Sequence, residues 1–299
     1  MGHEPGHEPG HRSGYASIYR EGLFTDQVVV ITGAGSGIGR CTAHELASLG
    51  ATVALVGRAR DKLETVRTEI EADGGTASIH ECDIRDEVQV RSTVADTLAE
   101  HGRVDGLVNN AGGQFPAPLA AISAKGWDAV VRTNLTGGFL MARECYTQWM
   151  LGHGGAIVNI IADMWNGMPG MGHSGAARAG MLNLTETASL EWAPVRVNAV
   201  APGWIASSGM DHYPPEMKAL IAGLPKSVPL NRFGTESEVS AAIVFLLSPA
   251  AAFVSGTCLR VDGAAPNAKR VWPMVGSGPN QAFEGFHRAQ TPAILQPGS

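Results

Sequence analysis

The chain has 299 residues, of which 44% are hydrophobic and 17% charged, values of a globular protein whose length suits one large domain, with two small domains as the alternative. A net charge of −6 without a run of Lys and Arg argues against a nucleic-acid-binding surface. Scattered cysteines without CxxC spacing favour free thiols over disulfides or a zinc site, and the lack of a long apolar stretch or signal-peptide core favours a cytoplasmic protein with no membrane partner.

The two ends of the chain lack the apolar patterning of a folded core. Residues 1–24 open with a repeated HEPG and are predicted to form a disordered or extended tail, whose histidines we interpret as solvated and not as a metal site. Residues 264–299, rich in Gly and Pro, are predicted to form a C-terminal tail. The predicted domain covers residues 25–263.

Between the tails, short β-branched runs alternate with segments of helical spacing. Strands are predicted at 28–31, 52–56, 77–80, 106–108, 156–161, 195–200 and 258–261. Helices are predicted at 38–49, 61–72, 87–100, 127–150, 176–191 and 236–247. Strands that alternate with helices form a parallel sheet covered on both faces, and right-handed crossovers make it doubly wound. The sequence therefore predicts a single Rossmann-type α/β domain.

The first predicted strand runs into a glycine-rich turn, TGAGSGIG, which opens the first helix. In this context Gly33 permits a tight turn, Gly37 lets the backbone approach a pyrophosphate, and Gly39 lets helix and strand pack closely. The free N–H groups and positive dipole end of the helix favour phosphate. The turn predicts a dinucleotide site formed by Gly33, Ser36, Gly37, Ile38 and Gly39.

The end of the second strand indicates which dinucleotide is bound. An acidic residue there would bind the ribose hydroxyls and favour NAD, but this chain has Gly57 followed by Arg58. Because a guanidinium suits a 2′-phosphate, we predict NADP(H); if Arg58 is only a solvated loop residue, NAD stays open. The ends of the third and fourth strands are predicted to add Asp83 and Ile84 at the adenine edge, and Asn110, Ala111 and Gly112 in the crevice.

Three motifs together resemble the short-chain dehydrogenase/reductase family: TGxxxGxG, the NNAG at 109–112, and Pro202-Gly203 after a strand reading VRVNAVA. The similarity covers roughly residues 25–263. It implies a cofactor segment at Pro202 and Gly203, with backbone contacts from Ile205 to the nicotinamide carboxamide. It also implies a substrate loop at 206–230 and a homodimer or homotetramer built through the long helices.

The catalytic segment departs from the family pattern. The resemblance implies a Tyr, and a Lys four residues later, where this chain has Ser174 and Arg178, while the usual upstream Ser falls near the apolar Ile161 or Ala162. The family's Asn is present as Asn134. A Ser hydroxyl is a far weaker acid than a phenol, and Arg cannot shuttle a proton. Efficient ketone or alcohol chemistry is therefore not expected.

Reduction of an enoyl thioester makes a different demand, because the enolate oxygen formed by hydride addition needs hydrogen-bond donors and no strong acid. HSGAARAG at 173–180, GGQF at 112–115 and KGW at 125–127 resemble the peroxisomal trans-2-enoyl-CoA and 2,4-dienoyl-CoA reductases. The likeness implies Gln114 as the main donor to a thioester oxygen and Ser174 as the second, with Asn134 and Arg178 on the cofactor side. We therefore predict NADPH-dependent reduction of the 2,3 double bond of an acyl-CoA-type thioester in fatty acid metabolism, with no metal.

Each catalytic assignment has a structural alternative. Gln114 would brace its loop, Ser174 would cap a helix, and Asn134 would bond backbone within its own helix. His173 is interpreted as part of a polar rim, and Asp163 as structural or as a gate. The residues Met164, Trp165, Met168 and Met171 are interpreted as acyl-chain lining or as plain packing. The alternative functions are a carbonyl or alcohol oxidoreductase of the same family and a non-catalytic NADP-binding protein.

Overall fold

The computed structural model describes residues 14–213, 215–268 and 280–296, and its centre is one sheet of seven parallel strands. The strands are β1 (Val28–Thr32), β2 (Thr52–Gly57), β3 (Thr76–Glu81), β4 (Gly106–Asn109), β5 (Ala156–Ile160), β6 (Arg196–Pro202) and β7 (Cys258–Val261). Their order across the sheet is β3-β2-β1-β4-β5-β6-β7. The chain reverses direction across the sheet between β1 and β4, and ligands of such sheets bind at that point, beyond the carboxyl ends of the strands.

Helices cover both faces of the sheet. They are α1 (Gly37–Ser48), α2 (Arg60–Ala72), α3 (Glu87–His101), α4 (Ala124–Val131), α5 (Gly137–Cys145), α6 (Leu151–His153), α7 (Gly172–Glu191), α8 (Lys218–Gly223) and α9 (Glu236–Leu247). The predicted doubly wound Rossmann-type domain is thereby confirmed. Among the described residues, no helix is both long enough and apolar enough to cross a membrane.

The core has two layers because neighbouring residues of a strand point to opposite faces. On β1, Ile31 packs with α1, α2 and α9 through residues such as Leu46 and Ile243. Val30, its neighbour, packs on the other face with Met141 of α5 and Val90 of α3. Burial on both faces accounts for the continuous apolar runs from which the strands were predicted.

Two predicted helices differ from the structure in ways that affect the site. The helix predicted at 127–150 begins at Ala124 and contains two π-helical turns, Arg132–Thr136 and Tyr146–Met150. The helix predicted from 176 begins at Gly172, and its N-cap is Met171, which makes no side-chain cap. Ser174 therefore lies inside the first turn of α7, and the alternative that it caps the helix is wrong.

Both described end segments pack against the domain. The Tyr15 hydroxyl donates to Glu45 Oε2 at 3.1 Å, and the Tyr19 hydroxyl donates to the Ala241 carbonyl at 2.7 Å. Phe286 from the C-terminal segment is buried and stacks on Tyr15 with ring centroids 5.9 Å apart. The HEPG repeat lies outside the described residues, so its disorder and the exact limits of the tails stay predictions.

Candidate active site

The glycine-rich turn after β1 forms a tight cradle against the loop after β4. Gly33 and Gly37 have positive φ angles of 67° and 57°, a region that L side chains rarely adopt. A Cβ on Gly39 would collide with the Gly33 carbonyl and with the Asn110 side chain. The amides of Asn110 and Ala111 each donate to Thr32 Oγ1 at 3.0 Å, which ties the two loops together. The backbone geometry of the glycines therefore fixes the turn against the loop after β4.

An open cleft of about 520 Å³ lies above this cradle, at the carboxyl ends of the strands. The first turn of α1 contains no acidic residue, so its N–H groups and dipole face the cleft without a competing carboxylate on that turn. The predicted cofactor residues that line the cleft are Gly33, Ser36, Gly37, Ile38, Arg58, Asp83, Ile84, Asn110, Ala111 and Gly112. Gly39 lies beneath them, where it lets the turn pack.

Three cations line the end of the cleft next to β2 and β3: Arg58, Lys62 and Arg85. Arg85 donates to the Asp83 carboxylate, with its Nε 2.8 Å from Oδ1, and these bonds lower the pKa of Asp83 to about 2. Within the described residues, neither Arg58 nor Lys62 has a hydrogen-bond or ion-pair partner. Sequence reasoning missed Lys62 and Arg85, although Lys62 follows Arg58 at helical spacing.

The three other predicted cofactor residues, Pro202, Gly203 and Ile205, follow β6 and do not line this cleft. The Gly203 amide donates to the Val261 carbonyl at 2.9 Å, which fixes the segment to β7. Ile205 pairs with Gly234 in an isolated β-bridge. Its two hydrogen bonds are made by the neighbours of Ile205: the Gly234 amide donates to the Trp204 carbonyl, and the Ala206 amide donates to the Gly234 carbonyl. Because backbone groups alternate in direction along an extended segment, the N–H and C=O of Ile205 point away from that bridge.

The predicted catalytic residues Gln114, Asn134 and Ser174 come together in one hydrogen-bonded chain. The Ser174 hydroxyl donates to Gln114 Oε1 at 2.7 Å, and Asn134 Nδ2 contacts Ser174 Oγ at 3.4 Å. Ser174 and Asn134 are buried, whereas Gln114 is exposed. The Gln114 side chain is therefore the member of the chain that a ligand can touch, and Ser174 fixes its orientation.

Asn134 also braces the loop that carries Gln114. Its Oδ1 accepts from the Gly113 amide at 2.8 Å, and its Nδ2 donates to the Gly113 carbonyl at 3.0 Å. The residue lies in the first π-helical turn, which brings its side chain to the Gly113 backbone of that loop. The alternative that Asn134 only bonds backbone within its own helix is therefore wrong.

Arg178 contacts the same loop at Gly112. Its Nη1 donates to the Ile160 carbonyl at 2.6 Å, and a Cβ on Gly112 would collide with Nη2. The Nε atom is buried without a hydrogen-bond partner among the described residues. Burial lowers the pKa of Arg178 to about 10, which leaves the guanidinium charged at neutral pH.

A phenol that sequence reasoning did not single out reaches this cluster. Tyr213, in the loop predicted to bind substrate, has its hydroxyl oxygen 3.3 Å from Gln114 Nε2, which donates to it. The two residues are far apart in the sequence, and no motif links them. A phenolic group thus lies at the rim of the site although the family's Tyr position holds Ser174.

His173 lies in another place than expected, whereas Met164, Trp165 and Asp163 fit one of their interpretations. His173 is fully buried, its Nδ1 accepts from the Ser174 amide at 2.9 Å, and its ring lies edge-on to Phe115; the polar-rim interpretation is wrong. Met164 and Trp165 pack against a buried cluster around Ile161 and Met181, which favours the plain packing role. Asp163 has its pKa raised by burial and by the nearby Asp262.

Comparison with known proteins identifies the family of the chain. A family model described as Enoyl-(Acyl carrier protein) reductase matches residues 33–264. A peroxisomal 2,4-dienoyl-CoA reductase from Danio rerio is 35% identical over 252 residues, 83% of this chain and 84% of the relative. A 3-oxoacyl-[acyl-carrier-protein] reductase from Thermotoga maritima is also 35% identical, over 79% of this chain and 96% of the relative.

A solved structure titled citronellol catabolism dehydrogenase (AtuB), from Pseudomonas aeruginosa, shares 60% sequence identity. It covers 84% of this chain and 100% of its own, with a TM-score of 0.77. The matches span the glycine-rich turn, the NNAG loop and the segment after β6, the three motifs on which the resemblance rested. The chain therefore belongs to the short-chain dehydrogenase/reductase family, whose members are NAD(P)(H)-dependent oxidoreductases.

Proposed function

We propose that the protein reduces the 2,3 double bond of an acyl-CoA-type enoyl thioester with NADPH. The observation that carries the proposal is the neutral chain of Asn134, Ser174 and Gln114 at the place where the family's Tyr would stand. A neutral donor that ends in an exposed amide N–H suits an enolate oxygen, whose stabilisation needs hydrogen bonds and no proton transfer.

The cleft fits a phosphorylated dinucleotide on three observations. The uncapped N-terminus of α1 faces the place of a pyrophosphate, and Arg58 with Lys62 supplies free cations for a 2′-phosphate. Arg178 Nη2 lies against Gly112, which lines the cleft, so the charged guanidinium is a donor for the nicotinamide ribose. When bound, reduced NADPH supplies the hydride. The chain's own residues bind the phosphates, orient the ribose and hold the substrate.

The thioester oxygen is held by Gln114 in this proposal. Its Oε1 accepts from Ser174 and its Nε2 donates one N–H to the Tyr213 hydroxyl, so the second N–H is the donor offered to the substrate. As hydride reaches the β-carbon, the electrons of the double bond move onto the thioester oxygen, where this Gln114 N–H stabilises the charge. The enolate then takes a proton from water at the α-carbon. Removal of one such donor typically costs about 10²–10³ in kcat.

A panel of substrates tests the proposal directly. NADPH consumption is followed with crotonyl-CoA, longer 2-enoyl-CoAs, 2,4-dienoyl-CoAs and ketones. We expect turnover with 2-enoyl thioesters and little with ketones. Turnover with ketones alone would contradict the proposal, and cofactor binding without turnover of any substrate would favour the non-catalytic alternative.

The relative that shares 60% identity suggests one refinement of the panel. Its title names citronellol, an alcohol with a methyl-branched isoprenoid skeleton. We propose that the acyl part of the substrate here is also methyl-branched, so the panel includes 2-enoyl-CoAs with a methyl group on the 3-carbon. A preference in kcat/KM for straight over branched chains would contradict this refinement.

A second candidate function is carbonyl or alcohol oxidation and reduction. The hydroxyl of Tyr213, 3.3 Å from Gln114 Nε2, supplies a phenol that the family's Tyr position lacks, and a phenol is a suitable acid for a ketone oxygen. Tyr213→Phe separates the two candidates. Carbonyl chemistry predicts a loss of about 100-fold or more in kcat, whereas enoyl reduction predicts a change of only a few-fold.

We further propose that the protein is a cytoplasmic homo-oligomer assembled through α4, α5 and α7. Light scattering coupled to gel filtration tests the assembly, and a monomer at micromolar concentration would contradict it. Fractionation of cells that express the chain tests the compartment.

A further inference from the structure

A second cluster of polar side chains lies on the outer side of β3, among residues that do not line the cofactor cleft. His80, Glu100 and His101 each offer one ligating atom, and these atoms all lie within 4.8 Å of one another. The comparisons and the proposed function assign nothing to this cluster.

The fold brings these residues together from two elements. Ser78 and His80 are two residues apart on β3, so their side chains share one face. The helix α3 ends at His101 with a left-handed Gly102, which places Glu100 and His101 in its last turn. Because 23 positions separate Ser78 from His101, no short metal-binding motif is visible in the sequence.

The ligand atoms lie within 4.8 Å of one another, which is wider than in a closed tetrahedral metal site. His80 Nε2 lies 4.0 Å from Glu100 Oε2, and His101 Nε2 lies 3.7 Å from Glu100 Oε1. Metal–ligand bonds of about 2.0–2.1 Å place neighbouring ligand atoms roughly 3.3–3.4 Å apart. The Glu100 side chain is 54% exposed, whereas those of His80 and His101 are 8% and 15% exposed. A small rotation of Glu100 therefore closes the site around two preorganised imidazoles.

Ser78 holds the two imidazoles in this arrangement. Its hydroxyl lies 3.0 Å from His80 Nε2 and 2.8 Å from His101 Nε2. A hydroxyl carries one proton, so only one of the two nitrogens accepts from it, and the other nitrogen must be protonated and donate. A metal ion that takes both Nε2 lone pairs therefore replaces these two hydrogen bonds, and the Ser78 hydroxyl turns aside to admit it.

We propose that His80, Glu100 and His101 bind a divalent transition-metal ion, with water as the fourth ligand. Two imidazole nitrogens and one carboxylate oxygen are the donor set that suits Zn²⁺. The ion joins the end of α3 to β3 and stabilises the outer edge of the sheet. It takes no part in the reaction proposed above, so a failure of this proposal leaves the reductase assignment intact.

The test uses the full chain with His3, His7 and His11 of the N-terminal repeat replaced by Ala, because these histidines would otherwise compete for metal. After treatment with EDTA, Zn²⁺ binding is measured by calorimetry, and Co²⁺ binding by visible absorption. We expect one equivalent of Zn²⁺ per chain, a tetrahedral Co²⁺ spectrum and a higher Tm with Zn²⁺.

Variants locate the ion. His101→Ala and Glu100→Gln should each weaken Zn²⁺ binding by more than about 100-fold, because each removes a ligand. His153→Ala, which removes an exposed histidine stacked on Trp149, is the matched control and should leave binding unchanged. Circular dichroism verifies that each variant is folded. Sub-stoichiometric binding by the parent chain, or binding by His101→Ala as tight as in the parent, would overturn the proposal.

Discussion

The two halves of the candidate active site are built on different principles. The phosphate-facing half rests on backbone geometry: Gly33, Gly37 and Gly39 shape the turn, and Thr32 ties it to the NNAG loop. The substrate-facing half rests on side chains, since Ser174 and Asn134 position an exposed Gln114. The glycine turn has no room for a side chain. Hydrogen-bonded side chains, in contrast, can be replaced by other side chains that form similar hydrogen bonds. The phosphate-facing half is therefore constrained to glycine, whereas the substrate-facing half is free to depart from the family pattern.

Gly39→Val should produce the largest effect, because it adds atoms where there is no room. The new side chain would collide with the Gly33 carbonyl, so we expect cofactor binding to be lost and stability to fall by ~2–3 kcal/mol. Dye-based Tm and NADPH fluorescence titration measure both. Gly152→Ala is the control, because a Cβ there meets nothing within 4 Å. Normal NADPH affinity in Gly39→Val would contradict the backbone account of this half.

Gln114→Ala tests the exposed residue of the hydrogen-bonded series formed by Asn134, Ser174 and Gln114. We expect kcat with a 2-enoyl-CoA to fall by about 10²–10³, with the KM for NADPH unchanged, because one oxyanion donor is lost. Steady-state kinetics with both substrates varied provide the measurement. Gln148→Ala is the matched control, because the Gln148 amide donates to the Arg91 carbonyl and to Glu144 and contacts none of these site residues. An unchanged kcat would show that Gln114 only braces its loop.

Arg58→Ala and Lys62→Ala test the choice of cofactor. Loss of a charge-assisted contact to a 2′-phosphate should raise the KM for NADPH by about 10–100-fold and leave the KM for NADH unaltered. Arg60→Ala is the control, because Arg60 is an exposed neighbour paired with Glu64 at 2.9 Å. Equal changes for both cofactors would contradict the assignment of NADPH.

Ser174→Ala should have a smaller effect than Gln114→Ala, about 10-fold in kcat, because Ser174 acts by orienting Gln114. The double variant should be no worse than Gln114→Ala alone, since both changes remove one function. The four proteins are compared in a double-mutant cycle. Additive losses would mean that Ser174 contacts the substrate by itself.

The smallest predicted effect is a pH dependence of cofactor binding that is caused by Glu236. Its Oε1 lies 3.8 Å from the position of a Cβ on Gly37, and burial raises the pKa of Glu236 to about 7. The carboxyl is therefore mostly neutral at pH 6 and mostly charged at pH 8. A negative charge near the pyrophosphate should raise the KM for NADPH a few-fold over that range. Glu236→Gln should remove the dependence, and an unchanged pH profile in that variant would contradict this role.

The boundaries of elements could be predicted where side chains mark them. The helix α9 begins and ends as predicted because Thr235 and Glu238 form a capping box at its start. The start of α7 was missed by four residues because Met171 makes no cap and Gly172 is a weak helix former. The π-helical turns leave no sign in the apolar pattern.

The residues of the candidate site also fall into those that could be predicted from the sequence and those that could not. The glycines, Arg58 and the NNAG loop could be assigned because each is tied to the end of one strand. The contacts of Gln114 with Ser174, 60 positions away, and with Tyr213, 99 positions away, depend on how the loops fold over the sheet. No local signal in the sequence contains that information.

The π-helical turn at Arg132–Thr136 shows how a new contact enters a helix without disturbing its surroundings. A π turn is a helix with one additional residue, and the segments on either side stay in register with their neighbours. Val130 before it and Met141 after it both remain buried, while Asn134 is turned toward Gly113. Removal of one residue from this turn would restore an ordinary helix and withdraw Asn134 from the site, while the core stays packed. One additional residue in the helix is therefore enough to direct this side chain into the site while both flanking segments keep their packing.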